Sequence, residues 1–350
     1  MTSAVERLRP AITRNELAWL ATLEDVESRI VFTEHHKAQT RYRAEPGPFD
    51  PEYLKTLPGR DWTLLVHDVE KHIPALRRLF ALVPFIPDWR IDDLMVSFAA
   101  PGGGVGPHRD HYDVFLCQGI GTRAWHVTEA DIPVDPNASD DLALTRPFAG
   151  DSYDARQGDV LYLPPGVAHW GTAQRACITY SIGMRAPQLS HLSEHLPDLE
   201  SCDPFYADPD LDACEARPGY ISAAAVDRAM RLLSAKSGAR ASIARSLGKF
   251  VTQTKQWLTP ETPDAADADL ALETLAAGGK LEVHGMARIA WDDARLYVNG
   301  RDLELPVSSA EVIGEICRSR LLRGPLSACD DLRESVTWMI RAGAFEIPGN

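Results

Sequence analysis

The 350-residue chain has no Cys-x-x-Cys pair; its six cysteines stand at 117, 177, 202, 214, 317 and 329. That spacing excludes zinc ribbons and thioredoxin-like redox motifs, and reduced, buried thiols are expected. No run approaches the ~18 uninterrupted apolar residues that a membrane helix needs. The opening MTSAVERLRP lacks the apolar core of a secretion signal, so a cytoplasmic location is expected. Positive charge is scarce: 36 Lys and Arg against 50 Asp and Glu give a formal net charge of −14. Such a chain is a poor general binder of nucleic-acid backbone and is suited to a basic partner. No internal repeat is visible.

What is present reads as globular: 45% hydrophobic and 25% charged residues are ordinary values, and the length suits two or three domains. Three textures follow one another. Residues 1–190 alternate short apolar runs with Gly and Pro. Strands are expected at Arg90–Ala99, Tyr112–Gln118, Arg123–Thr128, Asp159–Leu163 and Ala176–Met184, an array that fits a barrel or jelly roll. The stretch Asp131–Ala149, rich in Asp, Pro and Asn, reads as an exposed insertion between strands. Residues 191–258 read helical, at Ala223–Leu233 and Ala241–Trp257, and Thr259–Asp264 is a linker. The tail gives a helix (Asp269–Ala277), two strands (Lys280–Ala290, Arg295–Val298), two helices (Ser309–Ser319, Asp330–Arg341) and a short strand at Ala344–Ile347. That order is similar to a winged-helix module.

The chemistry concentrates in two segments. Gly102–Asp113 carries His108-x-Asp110 entering an apolar strand, where positions i and i+2 share a face. Gly158–His169 carries a strand, a Pro164-Pro165-Gly166 turn and then His169, just past the strand at the barrel mouth. Two imidazoles and a carboxylate form the facial triad of non-haem Fe(II) oxygenases, with positions left for co-substrate and dioxygen. His111 has the opposite parity and is expected to point away. A 2-oxoglutarate co-substrate needs an inward cation, and an Arg fork grips a carboxylate well. By position Arg123 comes first, sharing parity with Trp125, then Arg185; Arg175 is expected in an exposed turn. Ser97, Thr179 and Ser181 are the available strand hydroxyls.

With these residues assembled, the chain resembles the bacterial JmjC-type ribosomal oxygenases, and within them the ribosomal protein arginine hydroxylases. The resemblance rests on Trp89–Met95, Gly102–Asp110, Tyr112–Phe115, Gln118-Gly119, Gly158–His169 and Tyr180–Pro187. It implies a mainly β catalytic domain (a double-stranded β-helix, or cupin-like jelly roll) over 1–190, a helical dimerisation region over 191–262, and an α+β winged-helix domain over 263–350. It implies that His108, Asp110 and His169 ligate Fe(II), that Arg123 holds the 2-oxoglutarate carboxylate, and that Ser97 and Ser181 line the co-substrate or substrate space. Strand geometry adds Tyr112 to the substrate pocket. Met1 lies shortly before the first shared helix, expected at Thr13–Leu23, without the longer leading segment usual in the family.

The function so implied is a dioxygenase that hydroxylates an arginine side chain of a basic large-subunit ribosomal protein, acting as a homodimer. Two alternatives stand beside it. One is hydroxylation of histidine or of a non-ribosomal protein. The other is a non-catalytic metal-binding barrel with a DNA-binding tail, which the acidic residues interspersed through 268–350 disfavour.

Overall fold

The computed structural model describes residues 12–36, 39–134, 143–144, 147–192, 204–232, 240–326 and 329–347. The chain forms two compact units, residues 1–82 with 92–184 and residues 83–91 with 185–350. Among the described residues no helix is long and apolar enough to cross a membrane.

The first unit opens with helix α1 (Arg14–Leu20). Thr13 caps it: the Thr13 hydroxyl accepts from the Glu16 N–H, and the Glu16 carboxylate accepts the Thr13 N–H. Strands β1 (Ser28–His36) and β2 (Gln39–Pro46), helix α2 (Pro51–Thr56), strand β3 (Trp62–Val66) and helix α3 (Val69–His72) follow. Then come β4 (Ile91–Ala99), β5 (Val114–Ile120), β6 (Thr122–Thr128), β7 (Asp151–Arg156), β8 (Val160–Leu163), β9 (Ala168–Ala173) and β10 (Cys177–Met184). A seven-stranded sheet runs β2-β1-β3-β4-β10-β5-β8, and a three-stranded sheet runs β7-β6-β9.

The chain passes from the large sheet to the small one between β5 and β6, through Gly121. This residue has φ +70°, and a Cβ there would lie 2.2 Å from the Ala176 carbonyl oxygen, so only glycine makes this corner. Val114, Leu116 and Leu163 from the large sheet meet Trp125 and Ala155 from the small one in a single apolar cluster. Two facing sheets around a shared core are the double-stranded β-helix that the sequence predicts.

The five expected strands are present, each within two residues at either end. Strands β1, β2, β3, β7 and β9 are additional. The insertion differs from expectation where it is described: Leu144 is buried and donates its N–H to the Pro107 carbonyl at 2.9 Å. Residues 135–142 and 145–146 lie outside the described residues.

The second unit holds α4 (Ala223–Leu232), α5 (Arg240–Thr252) and α6 (Ala265–Ala276). It continues with β11 (Lys280–Glu282), β12 (Ile289–Trp291), β13 (Arg295–Val298), β14 (Arg301–Glu304), α7 (Ala310–Ser319), β15 (Leu321–Arg323) and α8 (Asp330–Arg341). Two fully buried arginines organise the irregular stretch before α4. Arg90 pairs with both carboxylate oxygens of Asp208, and Arg228 grips Glu215 and Asp210. The tail is the expected winged helix, with β14 and β15 additional and two corrections. The strand expected over Lys280–Ala290 breaks at a turn in which the Ala287 N–H bonds the His284 carbonyl. The strand expected over Ala344–Ile347 is a single bridge, Phe345 to Val283. The turn at Asn299-Gly300 has positive φ at both residues, the mirror-image turn that matches strand twist.

Glu70 of α3 is almost completely buried, and its carboxyl is pushed up to about 7. Burial is the main cause; Lys71 and the Leu94 N–H oppose it, while Asp93 and Asp68 add to it. The folded chain therefore keeps a proton that the unfolded chain, near 4.5, has released. Its contribution to stability falls as pH rises from about 4.5 to about 7. Glu70→Gln removes the charge and retains an acceptor for the Leu94 N–H. Urea unfolding should find this variant about 1–3 kcal/mol more stable than wild type at about pH 8, with the gap closing toward about pH 4.5.

Candidate metal centre

His108 and His169 are partners across a two-residue antiparallel bridge. Each donates its backbone N–H to the other's carbonyl, at 3.0 and 2.9 Å. Directly opposed residues in such a pair project their side chains to the same face, and the two ring centroids are 4.2 Å apart. Two residues on, the Asp110 carbonyl accepts the Gly166 N–H at 2.8 Å, so the Pro-Pro-Gly turn holds the third residue. Ligand atoms of His108, Asp110 and His169 all lie within 4.8 Å of one another, and among the described residues no other such group of three or more occurs.

This arrangement corrects how the triad comes together. Asp110 lies in a loop before β5, so strand parity with His108 does not apply; nor does it apply to His111 or Tyr112. His169 is the second residue of β9 rather than a residue beyond a strand end.

The donor set suits a divalent metal. Nδ1 of His108 lies 3.0 Å from the Gly106 carbonyl, and Nδ1 of His169 lies 3.0 Å from the Val167 carbonyl. A carbonyl can only accept, so both Nδ1 atoms carry the hydrogen and both Nε2 lone pairs are left for an ion. The Nε2 of His169 stands 3.5 Å from the Asp110 carboxylate. Burial, followed by the His108 charge, holds His169 down to about 3, so this imidazole is neutral and able to coordinate at physiological pH.

Below the triad, β6 carries Arg123, Trp125 and Val127 on one face, opposite Ala173, Gly171 and His169 of β9. A Cβ at Gly171 would meet the Trp125 indole at 2.7 Å, so glycine lets this ring lie against β9. Arg123 is 3% exposed. It stacks over Trp125 at 4.9 Å and donates to the Ser97 hydroxyl at 3.4 Å. Its Nε has no partner, and among the described residues no carboxylate pairs with it. Burial holds this guanidinium below its ordinary pKa, opposed by Cys177. A buried guanidinium with an unpartnered N–H and no paired carboxylate among the described residues suits an anionic ligand.

The remaining expected residues divide. Ser97 lies under Arg123. Ser181 is buried on β10 beside it in the large sheet. Tyr112 stands at the mouth, its ring 3.8 Å from where a Gly183 Cβ would be. Thr179 is bonded to Gln118. Arg175 is exposed, as expected. Arg185, the second choice for the co-substrate cation, belongs to the second unit, where it donates to the carbonyls of Phe250, Val251 and Gln253 at the end of α5.

Asp93 was not expected. It is 7% exposed, and its Oδ2 accepts from His67 Nδ1 at 3.0 Å and from the Asp68 N–H at 3.3 Å. Its Oδ1 points toward Gly183, 3.3 Å from the position of a Cβ there. The sequence signal was its parity with Ser97, which puts an acid on the inner face of an apolar strand.

Such a barrel, with two histidines and an acid near its mouth and an unpaired arginine inside, has the architecture of the JmjC class of oxygenase domains. Residues 78–192 match the family described as JmjC domain, and residues 231–336 match the ROXA-like winged helix. The ribosomal protein uL16 3-hydroxylase of Escherichia coli is 34% identical over 304 residues, 84% of this chain and 79% of that protein. A probable ribosomal oxygenase of Haemophilus influenzae is 37% identical over 203 residues, 56% of this chain and 47% of that protein. The structure of Escherichia coli YcfD, a ribosomal oxygenase, in complex with cobalt and 2-oxoglutarate superposes with a TM-score of 0.68 at 29% identity, covering 97% of this chain and 91% of that one. The chain belongs to the bacterial JmjC-type ribosomal oxygenase family.

Arg123→Met removes an uncompensated buried charge. Thermal unfolding should show the ligand-free variant more stable than wild type by about 1–3 kcal/mol. The extra stabilisation that 2-oxoglutarate adds to Mn(II)-loaded wild type, about 2–3 kcal/mol at a hundred-fold excess over Kd, should be absent from the variant, which still gains from Mn(II) alone.

Proposed function

We propose that the chain is a 2-oxoglutarate-dependent hydroxylase that acts on an arginine side chain of a large-subunit ribosomal protein. One observation carries this reading: the barrel holds two buried, half-satisfied charges of opposite sign. Arg123 lies deep. Asp93 lies four residues along β4 from Ser97, roughly 13 Å by strand rise. His169 lies four residues along β9 from Ala173, the partner of Arg123, so the triad and Asp93 occupy the same end of the barrel. An anion is therefore accommodated below the triad and a cation at the mouth.

The roles follow from these positions. Nε2 of His108, Nε2 of His169 and the Asp110 carboxylate would hold Fe(II), and Arg123 would take the distal carboxylate of 2-oxoglutarate in its planar fork. Iron, 2-oxoglutarate and dioxygen together supply the oxidising chemistry when bound. Trp125, Leu116 and Leu163 pack in one apolar cluster between the sheets, which would help keep water from the centre. Asp93 Oδ1 is placed to accept from a guanidinium at the mouth. The Tyr112 ring flanks the entry, where it suits the aliphatic stem of an arginine. These contacts fix which C–H faces the centre, the protein's share of the catalysis.

The acidity of the chain supports a basic ribosomal partner, since opposite net charge favours encounter. We assign residues 1–190 as the catalytic domain, residues 191–262 as the segment through which two copies associate, residues 263–350 as the winged helix, and the cytoplasm as the compartment.

Peptides from large-subunit ribosomal proteins, each with one arginine replaced in turn by lysine, citrulline or histidine, test the reading. Succinate release coupled to peptide should follow the arginine. His169→Ala should give none, and Asp93→Asn should lower kcat/KM for the arginine peptide by about 10–100-fold. Equal turnover of the citrulline or histidine peptide, or an Asp93→Asn enzyme with wild-type selectivity, would refute the assignment. Retention of Mn(II) by His169→Ala would refute the ligand set.

A further inference from the structure

We infer that His67 is a positioning residue that aims the Asp93 carboxylate at the substrate cation, an inference that rests on the guanidinium reading above. The pairing of β3 with β4 ends at Val66 and Val96. Past that point the two strands are joined by side chains instead of a ladder. Asp68 adopts a left-handed conformation, φ 55°, at the start of α3. The segment His67–Glu70 makes three contacts with the adjacent residues Asp93 and Leu94. His67 Nδ1 and the Asp68 N–H both donate to Asp93 Oδ2, and Glu70 accepts the Leu94 N–H at 3.0 Å. A carboxylate can only accept, so Nδ1 carries the hydrogen.

An aspartate carboxylate turns readily about its terminal torsion. Pinning Oδ2 from behind therefore fixes the direction of Oδ1, which faces the gap left by Gly183 and flanked by Tyr112. Among the described residues the His67 ring makes no other hydrogen bond: Nε2 is buried without a partner. A histidine kept to tie the fold together is normally satisfied at both nitrogens. This ring spends its one hydrogen bond on Asp93.

The test uses the full-length, iron-loaded enzyme with an arginine peptide and its citrulline counterpart. Wild type should prefer arginine. His67→Phe should lower that preference by about ten-fold, mainly through a higher KM, with kcat for the arginine peptide falling less. His67→Asn, whose amide places an N–H near the position of Nδ1, should restore most of the preference and guards against a folding artefact in the Phe variant. In an Asp93→Asn background, His67→Phe should add little, because the two residues act as one unit.

Wild-type selectivity in His67→Phe, an effect of equal size in the Asp93→Asn background, or a loss confined to kcat that Asn does not rescue would each overturn the inference while leaving the arginine reading intact. A wild-type enzyme that treats the two peptides alike would overturn both.

Discussion

The reciprocal backbone pair between His108 and His169 is the contact on which the site depends. It is only one bridge long, yet it joins the glycine-rich loop before β5 to the start of β9 and sets two imidazoles side by side. Gly166 extends the tie to Asp110. Each histidine then uses the carbonyl two residues before it, Gly106 or Val167, to fix its ring and its tautomer. The same local device appears at both histidines, so orientation comes from the backbone and needs no supporting carboxylate. Two backbone bonds are worth about 1–3 kcal/mol net. Their larger role is to bring together residues 61 positions apart in sequence.

Around this pair the barrel carries charges that the fold by itself leaves incomplete. Among the described residues Arg123 has a hydroxyl and an indole for company but no counter-ion, and Asp93 has one oxygen held and the other open. A protein selected for stability alone would neutralise such groups. Keeping them concentrates unsatisfied polarity where ligands of the opposite sign complete it, and burial strengthens those interactions by excluding water. The same logic separates Arg123 from Arg90 and Arg228, which are equally buried but fully paired with acids in the second unit.

The sequence showed the triad because its two halves are compact motifs, His108-x-Asp110 and Pro-Pro-Gly-x-x-His169. It points to Arg123 by position, since this residue opens the strand after the His-x-Asp segment and shares parity with Trp125, and the structure buries it there. Strand parity does not account for Asp110, because a loop anchored by the Gly166 N–H, not a strand, holds this residue. Strands β2 and β7, QTRYRAEP and DSYDAR, were not legible; they are polar edge strands formed by pairing with a neighbour rather than by their own apolar pattern. Asp93 lies within the strand expected at Arg90–Ala99, and its parity with Ser97 carried the signal, which its acidic neighbour Asp92 on the opposite face obscured. In the tail, Arg295–Val298 and Asp330–Arg341 were read to the residue, because a mirror-image Asn-Gly turn and an acidic first turn mark their ends.

The central claim is that one cavity binds an anion at Arg123 and an arginine side chain at Asp93, with the triad's metal positioned to oxidise the latter. Tandem mass spectrometry of a ribosomal protein substrate, reacted under heavy-isotope dioxygen with Fe(II) and 2-oxoglutarate, tests it most directly. The account predicts one heavy oxygen atom on a carbon of an arginine side chain and the other in succinate. Label on a different residue type, or oxygen drawn from water in both products after brief reaction, would contradict it.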